Sequence, residues 1–572
     1  MPGIPGDQMT DKGASRLFVA GVALLMAVAS PVFATEAPSI VQLTAFTPPP
    51  LPPPEDSNSV PPTVDPRSYA SGAFYPSVSA DGSTTAFSSD ADLVAGQNPL
   101  AIHSIFVMNS DGTGMRQLTH ATSGDARYPK LSADGSVVVF ESSSDLTGEN
   151  PPEAINVDTY TTDTPPQLTV TTTYSPQPQI FVMNTDGTGL KQLTHGVGYY
   201  ALKPDISGDG SVIVFESNRD PLGENTDNTK ELFAIRADGT GLKQLTVGSP
   251  IPQGAGYYIR DDASRNAVIS ADGTTVAFDS FQDLTPPLND DRSDEIFVFD
   301  LAGYLTAGGN RADYVVQVTD TDIVAPGHIS QEESFQASIS ADGTRIAFSA
   351  CINPWGDPAN GIPGTNPALA DAIFVVKRDG SGLTQLTFGD DKNDDAQWPS
   401  ISADGSVVIF SSESLAADGV DTGGYQQIFA IRSDGTGLTQ LTYADQERNY
   451  IKSKVSADGA TAFFYTAADL TGSNSDNTAE IFSAKFELPV GVVAQTGGGN
   501  TTNTTTVAQT GTDSSSSTTS SQGSSSTTGS SDVASASTGT SPTAITGAFG
   551  LLELFFLMIA AGTAGVGIRR RV

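Results

Sequence analysis

Acidic and amide side chains recur at fixed spacing in short segments that precede apolar stretches. Two complete sets are Asp469, Asn474, Asp476 and Glu480, and Asp220, Asn225, Asp227 and Glu231; related segments begin at Asp145 and Asp283. Oxygen ligands at alternate positions of a turn suit Ca²⁺, so both sets are candidate calcium sites. The spacing departs from the helix–loop–helix calcium pattern. Asp and Asn also shape turns by bonding to their own backbone, so we assign no metal site and keep calcium as the alternative.

Histidines are the other side chains suited to metal binding or proton transfer. The chain has four of them: His103, His120, His195 and His328. His120 and His195 both follow a Gln-Leu-Thr motif, so a metal-binding or catalytic pair is conceivable. Other copies of that motif are followed by Val247, Phe388 or Tyr443, which favours an ordinary loop position.

Nucleophilic and phosphate-binding motifs are missing from the part of the sequence expected to fold. No G-x-S-x-G elbow, phosphate loop or dinucleotide fingerprint occurs there. Cys351 is the only cysteine, so there is no disulfide framework, and a small core residue is the simpler role than a reactive thiol. We therefore predict no catalytic and no cofactor-binding residue.

The elements that carry these side chains come from a repeat. The tetrapeptide Ser-Ala-Asp-Gly, once Ser-Gly-Asp-Gly, recurs with its aspartate at Asp81, Asp134, Asp209, Asp272, Asp342, Asp404 and Asp458. Self-similarity over tens of residues indicates a repeat architecture.

One repeat consists of four short apolar stretches rich in Val, Ile and Phe. In the sixth copy they lie at 399–402, 407–412, 428–432 and 438–442, separated by Asp-Gly turns and one variable loop. Asp-Gly between two such stretches is a strong hairpin signal, so each repeat predicts a four-stranded antiparallel sheet. Seven such sheets predict an all-β fold, a seven-bladed β-propeller.

The seventh repeat lacks its fourth strand, and a near copy of that strand lies ahead of the first repeat. Residues 40–44 read Ile-Val-Gln-Leu-Thr, which resembles the fourth strands of the other blades. We predict that 40–44 pairs with 481–486 and closes the ring, because an unclosed sheet leaves an exposed edge. The alternative is a chance apolar stretch in an unstructured leader.

The repeat resembles the TolB-type propeller family, one of the WD-like repeat families, over 73–487. The shared pattern is S-x-D-G-x-x-x-A-F followed by I-F-V-M-N-x-D-G-T-G-L-x-Q-L-T. The resemblance implies a rigid, non-catalytic platform for protein or ligand contact. The family's founding member usually has six blades and a separate small α/β domain in front, whereas this chain has seven repeats and no such domain.

The ends of the chain predict export. Residues 1–34 read as a signal peptide, with true initiation at Met1 or Met9, and 35–72 hold the closing strand and a Pro-rich linker. The propeller should span 73–488, followed by a Ser/Thr/Gly-rich stalk at 489–543. Residues 544–572 are apolar and end in an arginine cluster, typical of a membrane anchor or of a bacterial envelope sorting signal that is later cleaved. We expect a periplasmic or cell-surface protein.

Composition limits the partners. The formal charge is −37 with only 28 Lys and Arg, which argues against nucleic acid and against docking on anionic lipid. We therefore expect a monomer that touches the membrane only through its C-terminal segment and binds an envelope or extracellular protein or glycan. The alternatives are a polysaccharide lyase or hydrolase acting at the channel mouth, and a calcium-stiffened adhesin.

Overall fold

The architecture was taken from a computed structural model of the chain. The structure describes residues 38–45, 72–150, 153–160, 168–175, 177–196, 199–248, 263–286, 289, 293–320, 334–351, 370–388, 395–413, 422–444, 452–475 and 477–489. By contacts the chain divides at Gly499, and all described residues belong to the first unit. The predicted signal peptide, Pro-rich linker, stalk and C-terminal segment lie outside the described residues.

Seven four-stranded antiparallel sheets form the described fold, as the repeat predicts. Blade one contains β2 (Ala73–Val78), β3 (Thr84–Ser89), β4 (Ser104–Asn109) and β5 (Arg116–Gln117), and blade two contains β6 (Ala126–Leu131), β7 (Val137–Ser142), β10 (Gln179–Asn184) and β11 (Lys191–Gln192). Blade three contains β12 (Ala201–Ile206), β13 (Val212–Ser217), β14 (Glu231–Arg236) and β15 (Lys243–Gln244), and blade four contains β16 (Ser264–Ile269), β17 (Thr275–Ser280), β18 (Glu295–Asp300) and β19 (Val315–Gln317).

The remaining blades repeat the plan. Blade five contains β20 (Ser334–Ile339), β21 (Arg345–Ala350), β22 (Ala372–Lys377) and β23 (Thr384–Gln385), and blade six contains β24 (Ala396–Ile401), β25 (Val407–Ser412), β26 (Gln427–Arg432) and β27 (Thr439–Gln440). Blade seven combines β28 (Ser453–Val455), β29 (Thr461–Thr466) and β30 (Glu480–Lys485) with β1 (Ser39–Gln42) from the other end of the domain. Most fourth strands pair over only two residues, shorter than the five-residue motif predicts.

Two insertions add structure to the plan. In blade two, β8 (Glu153–Tyr160) and β9 (Leu168–Ser175) pair as a separate hairpin. In blade four, α1 (Leu301–Ala307) and a 3₁₀ turn (Arg311–Tyr314) fill the long last connection, with Asp300 capping α1. Tyr304 and Tyr314 pack on Phe299, which anchors this one described α-helix to its blade. Residues 352–369, which connect β21 to β22 in blade five, lie outside the described residues.

The blades form a closed ring. The innermost strands β2, β6, β12, β16, β20, β24 and β28 each contact the next, and β28 contacts β2. Backbone hydrogen bonds connect successive Ser-Ala-Asp-Gly turns, as when the Ala80 N–H donates to the Ala133 carbonyl at 2.7 Å and the Ala341 N–H to Ala403 at 2.9 Å. The recurring tetrapeptide therefore joins neighbouring blades as well as turning the chain.

The closing strand is confirmed, one residue earlier than the motif suggests. Register pairs Ile40 with Ala484 and Gln42 with Phe482, and the Leu43 N–H donates to the Ile481 carbonyl at 2.8 Å. The Thr44 hydroxyl accepts from the Ile481 N–H at 2.9 Å and donates to Glu480. Thr246 makes the same two contacts with Leu232 and Glu231 inside blade three. β1 is thus chemically equivalent to an in-blade fourth strand.

Each blade has the same core unit, a phenylalanine pair across its second and third strands. Phe87 stacks on Phe106 and Phe410 on Phe429, with ring centroids 5.7 and 5.6 Å apart. Between blades, aliphatic residues of facing sheets form separate clusters of buried side chains. The ring is therefore a cycle of small cores, which explains how one domain spans this length.

Candidate functional site

The Asp/Asn loops form turns in the way their residue types favour. Asp220 Oδ1 accepts from the backbone N–H groups of Glu224 and Asn225 at 2.6 and 2.9 Å, and the Asn225 amide donates to the Thr229 carbonyl. Asp469 and Asn474 repeat this arrangement. Asp145 likewise accepts from Asn150. These contacts support the turn-forming interpretation.

The glutamates of the two candidate calcium sets are engaged elsewhere. Glu231 accepts from Thr246, the Gly248 N–H and Gln282, and Glu480 accepts from Thr44 and Thr478. Asp227 only accepts from Thr229 beside it, and Asp476 lies outside the described residues. Within the described part of the chain, no three His, Cys, Asp or Glu side chains come together as a metal site. Calcium stays a hypothesis.

Chelation with EDTA tests the calcium hypothesis directly. Because the loop oxygens are already occupied by backbone N–H groups, we expect the thermal midpoint of the full chain to be the same with and without EDTA. A calorimetric melt in calcium-free buffer, followed by one with added CaCl₂, measures this. A midpoint that falls with chelator and recovers with calcium would restore the metal-stiffened interpretation.

The histidines are spread over the ring. His103 lies beside Phe74, and burial, followed by the nearby Arg127, lowers its pKa. His195 is half exposed, 3.6 Å from Glu149, and His120 is exposed on its own loop. His328 lies outside the described residues, and Cys351 is buried as a core residue would be. Among the described residues, these histidines and Cys351 do not come together with one another, and only His195 approaches an acidic loop, through Glu149.

The candidate site is instead the mouth of the central channel, a cavity of about 210 Å³. Its rim takes one side chain from each innermost strand, four residues before the recurring serine. The seven are Tyr75, Tyr128, Lys203, Asn266, Gln336, Trp398 and Lys452, here called the rim ring. Lys130 and Lys454 lie two residues further along their strands and also line the cavity.

Backbone strain turns the rim ring toward the axis. Six of its members, all but Lys452, have a backbone φ between 47 and 60°. Residues other than glycine rarely adopt this conformation. Each coincides with a shift in strand register, as between Phe74 and Ser77 in blade one. Residues held in this region cost about 1–3 kcal/mol each and concentrate at functional sites.

Side chains of the preceding blade cap these strained residues. Glu141 accepts from the Lys203 N–H at 2.7 Å, Glu216 from the Asn266 N–H at 2.7 Å and Asp279 from the Gln336 N–H at 3.4 Å. The Gln336 side chain then accepts from the Trp398 N–H at 2.8 Å. Three buried carboxylates therefore lie directly behind one side of the channel.

Lysines and aromatic rings dominate the mouth. The Lys452 ammonium lies 3.7 Å from the Trp398 ring centroid and 5.7 Å from that of Tyr75. Tyr75 packs on Tyr128 with centroids 4.3 Å apart, and burial raises the pKa of Tyr128. Burial, followed by repulsion from other lysines, lowers the pKa of Lys452 to about 8 and that of Lys454 to about 7.

The carboxyl group of Glu141, behind the rim, makes the stability of the protein depend on pH. Burial raises the pKa of Glu141 from 4.5 to about 7, so the folded protein holds this proton more tightly than the unfolded chain. The stability that this proton contributes is present at acid pH and is lost as pH rises from 4.5 through 7. We expect Glu141→Gln to lie within about 1 kcal/mol of the wild type at pH 5 and to be more stable at pH 8, by at most about 3 kcal/mol.

Urea unfolding at both pH values measures this difference. Ser411→Ala, at the equivalent strand position of blade six, is the control, because a hydroxyl there has no charge to lose. Equal destabilisation of Glu141→Gln at pH 5 and pH 8 would contradict the assignment.

The chain is similar to known proteins only among solved structures. No family model matches the chain, and no curated protein does. Among solved structures it is similar to TolB from Acinetobacter baumannii, with 15% identity and a TM-score of 0.33 over 58% of each chain, less than two thirds of TolB's length. It is also similar to oligogalacturonate lyase from Vibrio parahaemolyticus (10% identity, TM-score 0.43, 73% of this chain and 90% of that one). A third is a puromycin hydrolase (13%, 0.41, 69% and 50%).

Proposed function

We propose that the chain is an exported, non-catalytic binding propeller that holds an envelope component at the mouth of its central channel. The sequence supports the location through the predicted signal peptide, the stalk and the apolar C-terminal segment. Within the part of the chain that the structure describes, no helix has the length and apolar character to cross a bilayer. The predicted anchor or sorting signal at 544–572 lies outside that part.

The observation that carries the proposal is a contrast within the repeat itself. The phenylalanine pairs, the Asp-Gly turns and the fourth-strand threonines keep their residue type from blade to blade. The rim ring, held by the same strand in each blade, varies among Tyr, Lys, Asn, Gln and Trp. Residues held at positive φ with differing polar and aromatic side chains suit contact with an asymmetric ligand better than they suit packing.

The enzyme alternative requires catalytic side chains at the channel mouth, and the described residues that line the mouth do not include them. An acid–base or nucleophilic mechanism needs a base, a partner that orients it, and donors for developing charge. No histidine, arginine or carboxylate is among the cavity's described lining residues. Lys452 and Lys454 have the lowered pKa seen in catalytic lysines, and two lysines do not make a catalytic set.

A capture experiment tests the proposal. The full chain is immobilised and exposed to envelope extract, alongside Trp398→Ala/Lys452→Ala, which removes one aromatic and one lysine from the mouth. The control is Tyr443→Ala/Lys243→Ala, which removes the same residue types from outer strands and loops. We expect the mouth variant alone to lose a captured component. Equal capture by all three proteins, or capture by none, would contradict binding at the mouth.

A further inference from the structure

The channel mouth has the opposite charge to the rest of the protein. The chain has a formal charge of −37. Four lysines nevertheless line the cavity: Lys130, Lys203, Lys452 and Lys454. Positive charge gathered inside a narrow channel with low-dielectric walls focuses the local field, whatever the overall charge.

Two of these lysines already have acidic partners. Lys130 Nζ lies 3.3 Å from Asp205, and Lys203 Nζ lies 3.5 Å from Glu216 and donates to the side-chain Oδ1 of Asn266 at 2.8 Å. Those acids belong to the wall behind the mouth and do not line the cavity. Lys130 and Lys203 therefore each have an acidic partner within the protein, although Lys203 shares Glu216 with Lys230 at 3.7 Å.

Lys452 and Lys454 differ, although they are two residues apart on blade seven's innermost strand. Among the described residues, no carboxylate lies within ion-pair distance of either ammonium, and neither ammonium donates a hydrogen bond. Lys452 lies over the faces of Trp398 and Tyr75, and these rings attract the ammonium cation. The rings do not act as conventional hydrogen-bond acceptors for its three N–H groups. Lys454 has only the more distant Asp205 as an attractive charge.

We propose that Lys452 and Lys454 form an anion site, which takes a ligand group bearing at least two carboxylates or phosphates into the mouth of the channel. This inference rests on the proposed function, because it specifies the chemistry of the ligand bound there. A cavity of about 210 Å³ suits a small polyanion or the acidic end of a larger molecule. The rings of Trp398, Tyr75 and Tyr128 also line this cavity, so part of the wall beside the ammonium groups is apolar.

The anion completes a charge balance that the free protein lacks. Lys454 faces Lys130, Lys452 and Asp205, and Lys452 faces Lys203 and Lys130. Burial, followed by repulsion among these lysines, favours loss of a proton from the site near neutral pH, and a bound anion reverses that preference. Binding should therefore take up protons, and affinity should fall as pH rises from 7 to 9.

Titration calorimetry with the full chain tests the site. The probes are citrate and inorganic tripolyphosphate, with maltotriose as the neutral control. We expect one or both anions to bind, and Lys452→Met and Lys454→Met each to weaken binding about ten-fold or more, as for a lost hydrogen bond to a charged group. Lys243→Met, on an outer strand, should bind like the wild type. Thermal melts confirm that each variant is folded.

The pH dependence of binding gives a second readout. A loss of affinity in the lysine variants alone would not show that binding is coupled to proton uptake. For citrate, whose carboxylates are ionised throughout the range, we expect affinity at pH 9 to be at least about ten-fold weaker than at pH 7. Heats measured at pH 7.5 in HEPES and in Tris, which differ in heat of ionisation, should show proton uptake that Lys454→Met reduces. Glu141 also titrates near pH 7, so Glu141→Gln is measured alongside and should retain the linkage.

The outcomes distinguish a failure of the anion site from a failure of the proposed binding function. Binding of neither anion at millimolar concentration, or binding unchanged in both lysine variants, would overturn the anion site. If the mouth variant still lost its envelope component, the proposed function would stand with a ligand of other chemistry. Binding of citrate alone would indicate a carboxylate ligand, and of tripolyphosphate alone a phosphate ligand, both within the proposal.

Discussion

Replacing Leu43 by Ala is expected to destabilise the propeller by about 2–5 kcal/mol, although Leu43 directly follows β1, ahead of the first blade. The side chain is buried in a cluster with Phe463 and Ile481 of blade seven and Ala73 of blade one. Truncation would leave a cavity between the last blade and the first. Urea unfolding of the full chain, followed by tryptophan fluorescence, gives the change in free energy of unfolding.

The chain provides a matched control for this prediction. Leu441 occupies the same position in the fourth strand of blade six and is fully buried, so Leu441→Ala should cost a similar amount. Val41 is 47% exposed on the closing strand, and Val41→Ala should cost little. A large loss for Leu441→Ala with none for Leu43→Ala would show that the closing strand does not contribute to the fold.

Replacing Arg265 by Met is expected to cost about 3–5 kcal/mol at pH 8, because it leaves two buried carboxylates without a counter-charge. Arg265 donates to Asp279 at 2.7 Å and to Asp294 at 2.5 Å, and both aspartates are fully buried. Burial raises the pKa of Asp279 and Asp294, so they take up protons readily once the arginine is gone. The penalty should therefore shrink as pH falls toward 4, since protonated carboxyls need no counter-charge.

Arg127→Met is the control for this variant. Arg127 occupies the same strand position in blade two, directly before the rim ring, but its pair with Asp125 is exposed. Exposed pairs contribute at most about 1 kcal/mol, so this variant should unfold near the wild-type midpoint at every pH. Equal effects of the two substitutions, or a penalty for Arg265→Met that grows at low pH, would contradict the buried charge network.

The fold could be predicted from the sequence because its determinants are local and repeated. Short apolar stretches and Asp-Gly turns define each hairpin, and the turn geometry agrees. Asp81 accepts from the Ser79 hydroxyl, the Ser83 N–H and the Ser83 hydroxyl, and these hydrogen bonds lower its pKa to about 2. Closure was also predictable, since residues 40–44 copy a motif whose other copies end a blade. The insertions were not predictable, because α1 replaces part of a hairpin connection that the repeat leaves undefined.

The channel mouth could not be predicted in the same way. Which side chains of an innermost strand face the axis depends on the register shift at Tyr75 and its counterparts, and positive φ at a tyrosine has no sequence signature. The caps join residues far apart in the chain, such as Glu141 and Lys203, which are 62 positions apart. One signal was available: the position four residues before each recurring serine varies, whereas the Asp-Gly turn and the apolar stretch that follow it repeat. It was not used, and Lys452 and Lys454 were missed.

A cross-strand disulfide tests the closed ring most directly. Val41 lies opposite Ser483 in the register of β1 and β30, whereas Lys485 is two residues further along the same face. Val41→Cys/Ser483→Cys should oxidise to an intramolecular disulfide under mild conditions, and Val41→Cys/Lys485→Cys should form it far more slowly, because diagonal positions exceed disulfide reach. Counting free thiols after alkylation, by mass spectrometry, distinguishes the two. Rapid cross-linking of the first pair alone is the predicted result; equal oxidation of both pairs, or of neither, would contradict a ring closed by its first strand.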